Sequence, residues 1–291
     1  MAEKILKLGI PAGSLQNATF ELFSKAGFQI GDSRRSYLPS IDDKEIELIL
    51  LRAQEMSRYV VDGVIDAGIT GYDWIMENDS DVVEVCELAY SKATSNPTKW
   101  VLAVPAEGNI SKPEDLRGGI IATELVNVTK RYFADKGIDV KVEFSWGATE
   151  VKARLVNAIV ELTETGSSIK ANNLKIIDTL LTSTTRFIAN KQAWNDDAKR
   201  QKIEDISLLL NAAINARNKV GLKMNVAKAN LDAVIAILPS EKSPTISGLA
   251  EKDYAAVEVV IDTAIERVLV PALKRAGATG IITYPLNKVV H

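Results

Sequence analysis

Histidine, cysteine and long apolar runs are almost missing from this chain of 291 residues. Its one histidine is the last residue, His291, so histidine general-base catalysis, Cys/His zinc sites and Ser-His-Asp triads are excluded. The single cysteine, Cys86, forbids an intrachain disulfide, and its place in the apolar run 82–88 reads as that of a small core residue. No stretch approaches the length of a membrane span, and the opening Met-Ala-Glu-Lys-Ile-Leu-Lys lacks a signal-peptide core, so the cytoplasm is the expected compartment and no membrane partner is expected. A basic excess is lacking too. Net charge is −3, with no basic face in the order of residues, which speaks against nucleic acid. The chemistry left open must use carboxylates, Lys and Arg, hydroxyls, backbone amides and a ligand-borne metal.

What is present is organised around residues 157–173, Asn-Ala-Ile-Val-Glu-Leu-Thr-Glu-Thr-Gly-Ser-Ser-Ile-Lys-Ala-Asn-Asn. A β-prone run at 158–160 delivers Glu161, and the chain then breaks into Thr163, Thr165, Gly166, Ser167 and Ser168. Hydroxyls, backbone amides and a glycine that permits close approach suit a phosphate; taken alone, the loop suits a plain turn equally well. The stretch has an echo. Asp62, Val64, Ile65, Asp66, Thr70 and Gly71 lie over Asn157, Ile159, Val160, Glu161, Thr165 and Gly166 at one constant offset of 95 residues. Either this is chance, or two similar α/β lobes each present such a strand and loop to a shared cleft.

Taken in order, the apolar spacing predicts a strand at 5–10, a turn through Pro11, Ala12, Gly13 and Ser14, and a helix capped by Ser14 and ended by Gly27. That connection is an anion site or an ordinary turn. Strand 47–51 ends at Arg52, where a guanidinium can reach a phosphate or make a surface ion pair. Residues 62–66 read as a strand feeding a Gly/Thr loop that opens a helix at Asp73. After a polar linker at 91–99, the second lobe reads as strand 100–104, helix 113–116, strand 119–122, helix 127–136 and strand 140–144. Trp74 and Trp146 are each placed in core packing, with the border of a nucleotide as the other reading. The run 174–188 forms a strand pair or a crossing back to the first lobe, 194–217 is one amphipathic helix, and from Val220 to Thr283 the order β-α-β-β-α-β is a ferredoxin-like unit. The predicted fold is therefore α/β: two periplasmic-binding-protein-like α/β lobes around a cleft, residues 1–95 with 184–217 and residues 96–183, followed by a C-terminal ferredoxin-like α+β regulatory domain at 218–291.

Several motifs together, Trp146-Gly-Ala-Thr-Glu-Val-Lys, residues 158–168, Asp66-Ala-Gly-Ile-Thr-Gly-Tyr-Asp and the ferredoxin-like tail, resemble the long form of ATP phosphoribosyltransferase over essentially the whole chain. The resemblance implies condensation of ATP with phosphoribosyl diphosphate (PRPP) to N1-(5-phosphoribosyl)-ATP and diphosphate, with Mg²⁺. It further implies feedback inhibition by histidine and a homo-oligomer, dimer or hexamer. Glu161 matches the acid at the ribose hydroxyls, and Glu164, Thr165, Gly166, Ser167 and Ser168 the loop around the 5-phosphate. Arg52 matches a strand-end arginine. Asp66, Gly68, Thr70, Gly71 and Asp73, with Gly13 across the cleft, match the side associated with the adenine nucleotide. Ser243 and Thr245 match a segment that contacts histidine, and Asn225 falls where an aspartate often stands.

Two departures stand out. The Pro-Lys-Gly-Arg common in the family is here Pro11-Ala12-Gly13-Ser14, without either cation, which passes phosphate contact to Arg52, Arg34, Arg35 and Lys152. Asn225 loses the charge-assisted contact to an ammonium, worth about 1 kcal/mol. The implied chemistry suits the inventory, because displacement at an anomeric carbon needs ribose positioning and a stabilised diphosphate but little proton transfer, and purine N1 attacks without activation. Two non-catalytic alternatives are a two-lobed anion- or nucleotide-binding protein and a histidine-sensing subunit that has lost activity through Ala12 and Ser14.

Overall fold

The computed structural model describes residues 5–31, 36–90, 97–239 and 243–290. Arg34, Arg35 and most of the expected linker at 91–99 lie outside the described residues. The first compact unit ends at Ser207 and the second starts at Leu208. That division falls inside a helix, ahead of the boundary at 217 and 218 expected from the change in sequence texture.

In the first unit the chain runs β1 (Leu6–Ala12), α1 (Gln16–Ala26), β2 (Ile46–Arg52), α2 (Ala53–Val61), β3 (Ala67–Gly71), α3 (Tyr72–Glu77) and β4 (Val83–Leu88). It continues with β5 (Thr98–Pro105), a 3₁₀ turn at Pro113–Leu116, β6 (Ile120–Thr123), α4 (Val126–Asp135), β7 (Lys141–Phe144), α5 (Thr149–Lys152), β8 (Ala158–Thr163), α6 (Ser167–Ala171) and β9 (Leu174–Ser183). Then β10 (Thr185–Ala189) crosses back, and α7 (Lys191–Asn195) and α8 (Asp197–Ala216) follow. The sheet of lobe I has the order β2-β1-β3-β10-β4 and that of lobe II β7-β6-β8-β5-β9. Each contains three parallel strands, β2-β1-β3 or β7-β6-β8, flanked by an antiparallel one, β10 or β5. Trp100, Leu102, Leu116, Ile121, Phe133 and Val160 fill the core under lobe II.

The strand of the third motif lies elsewhere than expected. Residues 62–66 are a turn, and Ala67–Gly71, expected in part as the loop, are β3 itself. The physical reason is helix-on-sheet packing. Gly9 and Gly68 stand side by side in β1 and β3, and a Cβ on either would come within 2.3 or 2.7 Å of the Met56 sulfur above them. Glycine here makes a trough for a core methionine of α2, and only in sequence does it look like a turn signal. The repeat at an offset of 95 is consequently kept at the helix starts, where Gly71 and Gly166 precede α3 and α6, but not in the strands: Asp66 lies before β3, whereas Glu161 lies within β8.

Other expectations need smaller corrections. Leu15, not Ser14, is the N-cap of α1, without a side-chain capping bond. The expected helix 194–217 is broken at Asp196, whose Oδ1 accepts from the amides of Ala198 and Lys199 and so starts α8 afresh. Cys86 is half-buried on β4, in contact with the Ser207 hydroxyl at 3.0 Å, because β4 is the edge strand. Trp146 lies in solvent, as taken up below.

The second unit contains β11 (Lys219–Ala227), a 3₁₀ turn at Lys228–Asn230, α9 (Leu231–Ile235), β12 (Thr245–Gly248), β13 (Tyr254–Asp262), α10 (Thr263–Arg275) and β14 (Thr279–Pro285). Its antiparallel sheet has the order β12-β13-β11-β14, the ferredoxin-like arrangement. Alternate strand residues Leu222, Met224, Val257 and Val259 meet Val234, Leu269 and Leu273 of the helices in one core, leaving Lys223 and Asn225 outward.

Candidate active site

Parallel strands place their carboxyl ends together, and in both lobes those ends meet one cleft of about 330 Å³. From lobe I it receives Ala12 at the end of β1 and Ser14 beyond it, Arg52 at the end of β2, and Gly71 at the end of β3 with Asp73 beyond it. From lobe II come Glu124, one residue beyond β6, then Glu161 of β8 and Glu164 after it. Trp74, Tyr90, Trp100 and Ser183 complete the floor.

Asp73 is buried and joins the lobes. Trp100 Nε1 of β5 donates to its Oδ2 at 2.7 Å, and the Ser183 hydroxyl donates to its Oδ1 at 2.9 Å. The Asp73 amide in turn donates to Ser183 Oγ at 3.1 Å. Burial pushes the Asp73 carboxyl above the ordinary range, against the pull of these donors. Four residues on, Glu77 makes a second bridge, accepting from the amides of Asn127 and Val128 at 2.9 Å each, at the start of α4 in lobe II. A carboxylate there meets both exposed amides and the positive end of the helix dipole.

Glu161 stands on the opposite wall. Desolvation raises its carboxyl above the usual glutamate range, with neighbouring Glu150 and Glu124 adding to the rise, while Thr149 and the Leu162 amide oppose it. The chain after it turns at Gly166, with φ of 75°, and the Gly166 amide donates to Thr163 Oγ1 at 2.7 Å. Thr165 Oγ1 donates to Ser167 Oγ at 3.0 Å, and the Ser168 hydroxyl donates to Glu150. The turn thus gathers hydroxyls that bond to one another and to Glu150, directly after the cleft residue Glu164. Arg52 is the only lysine or arginine among the described residues lining the cleft. Its guanidinium lies against the backbone at Gly13, where φ is 91° and an added Cβ would come 2.9 Å from Arg52 Nη1. Lys152 is engaged elsewhere, donating to Ser145 Oγ at 2.8 Å.

The structure therefore brings Arg52, Gly71, Asp73, Glu161 and Glu164 to one cleft; Gly13 lies against Arg52 without lining it, and residues 165–168 follow Glu164 but are not among the lining residues. It does not bring in three residues expected on the nucleotide side. Asp66, at the other end of β3, is paired with Lys199 Nζ at 2.7 Å and accepts from the Lys7 amide. Gly68 lies under Met56, and the buried Thr70 hydroxyl donates to the Ala53 carbonyl at 2.7 Å. These three hold lobe I together. In the second unit, Ser243 and Thr245 line a cavity of about 390 Å³ with Lys219, Glu258, Val260 and Asp262. Asn225 is not among its lining residues: along β11 it pairs with Ala256, whereas the cavity lies at the other end of the strand, where Lys219 pairs with Asp262.

Reading by sequence missed Glu124, Tyr90, Trp100 and Ser183. For Glu124 a signal existed, since it directly follows a strand that packs in a parallel sheet. For the other three none did, because each is placed by partners distant in sequence.

The cleft is acidic, with Glu124, Glu161 and Glu164 against Arg52. Two polyphosphates would not collect there unaided. Hard carboxylate oxygens fit a divalent ion that arrives on phosphate oxygens, and among the described residues no group of three or more potential ligands could hold a metal unaided. None of the described helices is long and apolar enough to cross a membrane.

The sequence profile of the ATP phosphoribosyltransferase family matches residues 52–212, and that of its C-terminal domain matches residues 216–288. The chain is 58% identical over 287 residues to an ATP phosphoribosyltransferase of Solibacter usitatus, covering 98% of this chain and 99% of that one. It is 56% identical over 290 residues to the ATP phosphoribosyltransferase of Chlorobaculum parvum, covering 99% of each. Among solved structures it is similar to an ATP phosphoribosyl transferase (HisG:HisZ) complex from Thermotoga maritima, with a TM-score of 0.62 and 28% identity over 72% of this chain and 98% of that chain.

Proposed function

The chain belongs to the ATP phosphoribosyltransferase family, pentosyltransferases of the first step of histidine biosynthesis, and from that premise we propose how its cleft carries out the transfer. PRPP lies along the carboxyl end of β8, its 5-phosphate in the turn of Thr165, Gly166, Ser167 and Ser168 and its ribose diol on Glu161. ATP enters from the side of Gly71 and Asp73, and its N1 displaces diphosphate at the anomeric carbon. The meeting of Arg52 and Glu161 on one cleft is the observation that supports this reading most.

As the bond to diphosphate lengthens, positive charge grows on the ribose and negative charge on the leaving group. Glu161 faces the first and Arg52 the second, so both stabilise the transition state more than the bound substrates. With Lys and Arg absent at Ala12 and Ser14, Arg52 carries the cationic contact, braced by Gly13. A divalent ion, Mg²⁺, supplies charge neutralisation of the phosphates when bound; Glu124 and Glu164, the cleft glutamates other than the one on the ribose, are the carboxylates that would meet it. Positioning within a desolvated cleft does the rest.

Histidine as feedback inhibitor fits the second-unit cavity at Ser243 and Thr245. There Glu258 offers charge for an ammonium and takes over the part expected of Asn225, and the ion pair of Lys219 with Asp262 at 2.8 Å borders the cavity. A homo-oligomer in the cytoplasm completes the reading.

Incubating the purified protein with ATP, PRPP and MgCl₂ and following the absorbance of the condensed product tests it. Product formation that stops without Mg²⁺ is the expected result. ATP and PRPP binding without product would overturn the reading.

A further inference from the structure

Phe144 and Thr123, the last residues of β7 and β6, lie in register with Val160 of β8. One residue further on, β6 gives Glu124 and β8 gives Glu161, both on the cleft wall. The corresponding step past β7 gives Ser145, which is buried, and then Trp146, which is 90% exposed. With two strand spacings between them, the backbone there stands about 10 Å from Glu161.

An indole left in water is not explained by folding, yet the chain takes trouble to hold this one. The Phe144 ring meets it edge-on, with centroids 4.8 Å apart and planes at 81°. Directly after it, Gly147 and Ala148 are both left-handed, with φ of 96° and 49°, and alanine adopts that conformation only under strain. Ser145 Oγ fixes the turn through Thr149 at 2.9 Å and Lys152 at 2.8 Å. The same turn comes up to the cleft: a Cβ on Gly147 would lie 3.8 Å from Oε1 of the cleft residue Glu124.

We infer that Trp146 is a base-stacking residue that lies over the purine of the nucleotide substrate at the mouth of the cleft. The inference rests on the proposed transferase reading, in which the purine must come up to the ribose held by Glu161. Of the two substrates only ATP has a flat aromatic face, so the indole acts on one and not on the other. A second copy of the chain, reaching Trp146 together with exposed Val151 and Leu155, is the competing occupant.

The test compares wild type, Trp146→Ala and Trp146→Phe in steady-state assays with ATP and PRPP varied separately, alongside indole emission titrated with ATP alone and sedimentation velocity. Trp146→Ala is expected to raise KM for ATP about 10-fold or more, as loss of a base–aromatic stack does, with KM for PRPP within about twofold and sedimentation unchanged. Trp146→Phe restores most of the ATP affinity while losing part of the ATP-induced emission change. An unaltered KM for ATP in Trp146→Ala, or a change in sedimentation with both KM values moving together, overturns the inference and assigns the indole to a contact between copies. If wild type yields no product, the transferase reading fails instead, and the emission change lost in Trp146→Phe still decides the stacking.

Discussion

Trp100 Nε1 and Asp73 Oδ2 are 2.7 Å apart, and through them β5 of one lobe is tied to α3 of the other at the floor of the cleft. Asp73 is only 5% exposed, so its carboxylate depends on protein donors rather than water. Trp100→Phe keeps most of the packing against Trp74, whose ring centroid is 6.1 Å away, but removes one donor from a buried charge. Stability should fall by about 1–3 kcal/mol, read as a lower urea midpoint with an unchanged slope.

Glu161 sets function against stability. Its carboxyl titrates above the ordinary glutamate range. A folded-state pKa raised over that of the unfolded chain stabilises at acid pH, and this contribution is lost as pH rises from about 4.3 through the raised value. Glu161→Gln should therefore melt at a higher temperature than wild type at pH 7, with the gap closing as pH falls toward 4. Its turnover should drop by about 100-fold through the lost stabilisation of developing charge. A variant less stable than wild type at pH 7 would contradict this account of the site.

Gly166 has room for a side chain, since an added Cβ would meet nothing closer than Ile176 Cδ1 at 3.9 Å, but its φ is 75°. Gly166→Ala thus isolates backbone strain, costing about 1–2 kcal/mol. Relief of that strain opens the turn of Thr165, Ser167 and Ser168. The expected result is a higher KM for PRPP with KM for ATP little changed, measured in the same assay.

In the second unit, Glu258 lies where Lys223 and the Tyr284 hydroxyl hold its carboxyl below the usual range, the hydroxyl having the larger effect. It is a candidate partner for the ammonium of histidine. Thr245→Ala and Glu258→Gln should both raise the histidine concentration needed for half-inhibition without altering uninhibited turnover. Equal inhibition of both variants and wild type would place the histidine site elsewhere.

Much of this protein was written in local pattern. Short apolar, β-prone runs marked β1, β2, β6, β8 and the strands of the β-α-β-β-α-β tail, because strand and helix periods are set by the backbone itself. Glu161 and Arg52 were legible for a related reason: each ends or nearly ends a strand, and parallel strands deliver such residues to a common edge. What followed from partners distant in sequence was decided by the tertiary structure alone. Gly68 looks like a loop until Gly9 stands beside it under Met56. Asp66 looks like a ligand until Lys199 closes on it, Trp100 looks like any core aromatic until Asp73 meets its indole, and Trp146 looks buried until the left-handed turn at Gly147 and Ala148 turns it out. Local period was enough for most of the strands and helices, with β3 and the break at Asp196 as exceptions; strand order and lobe-to-lobe packing set which side chains share a cleft, since those contacts depend on positions that no local period records.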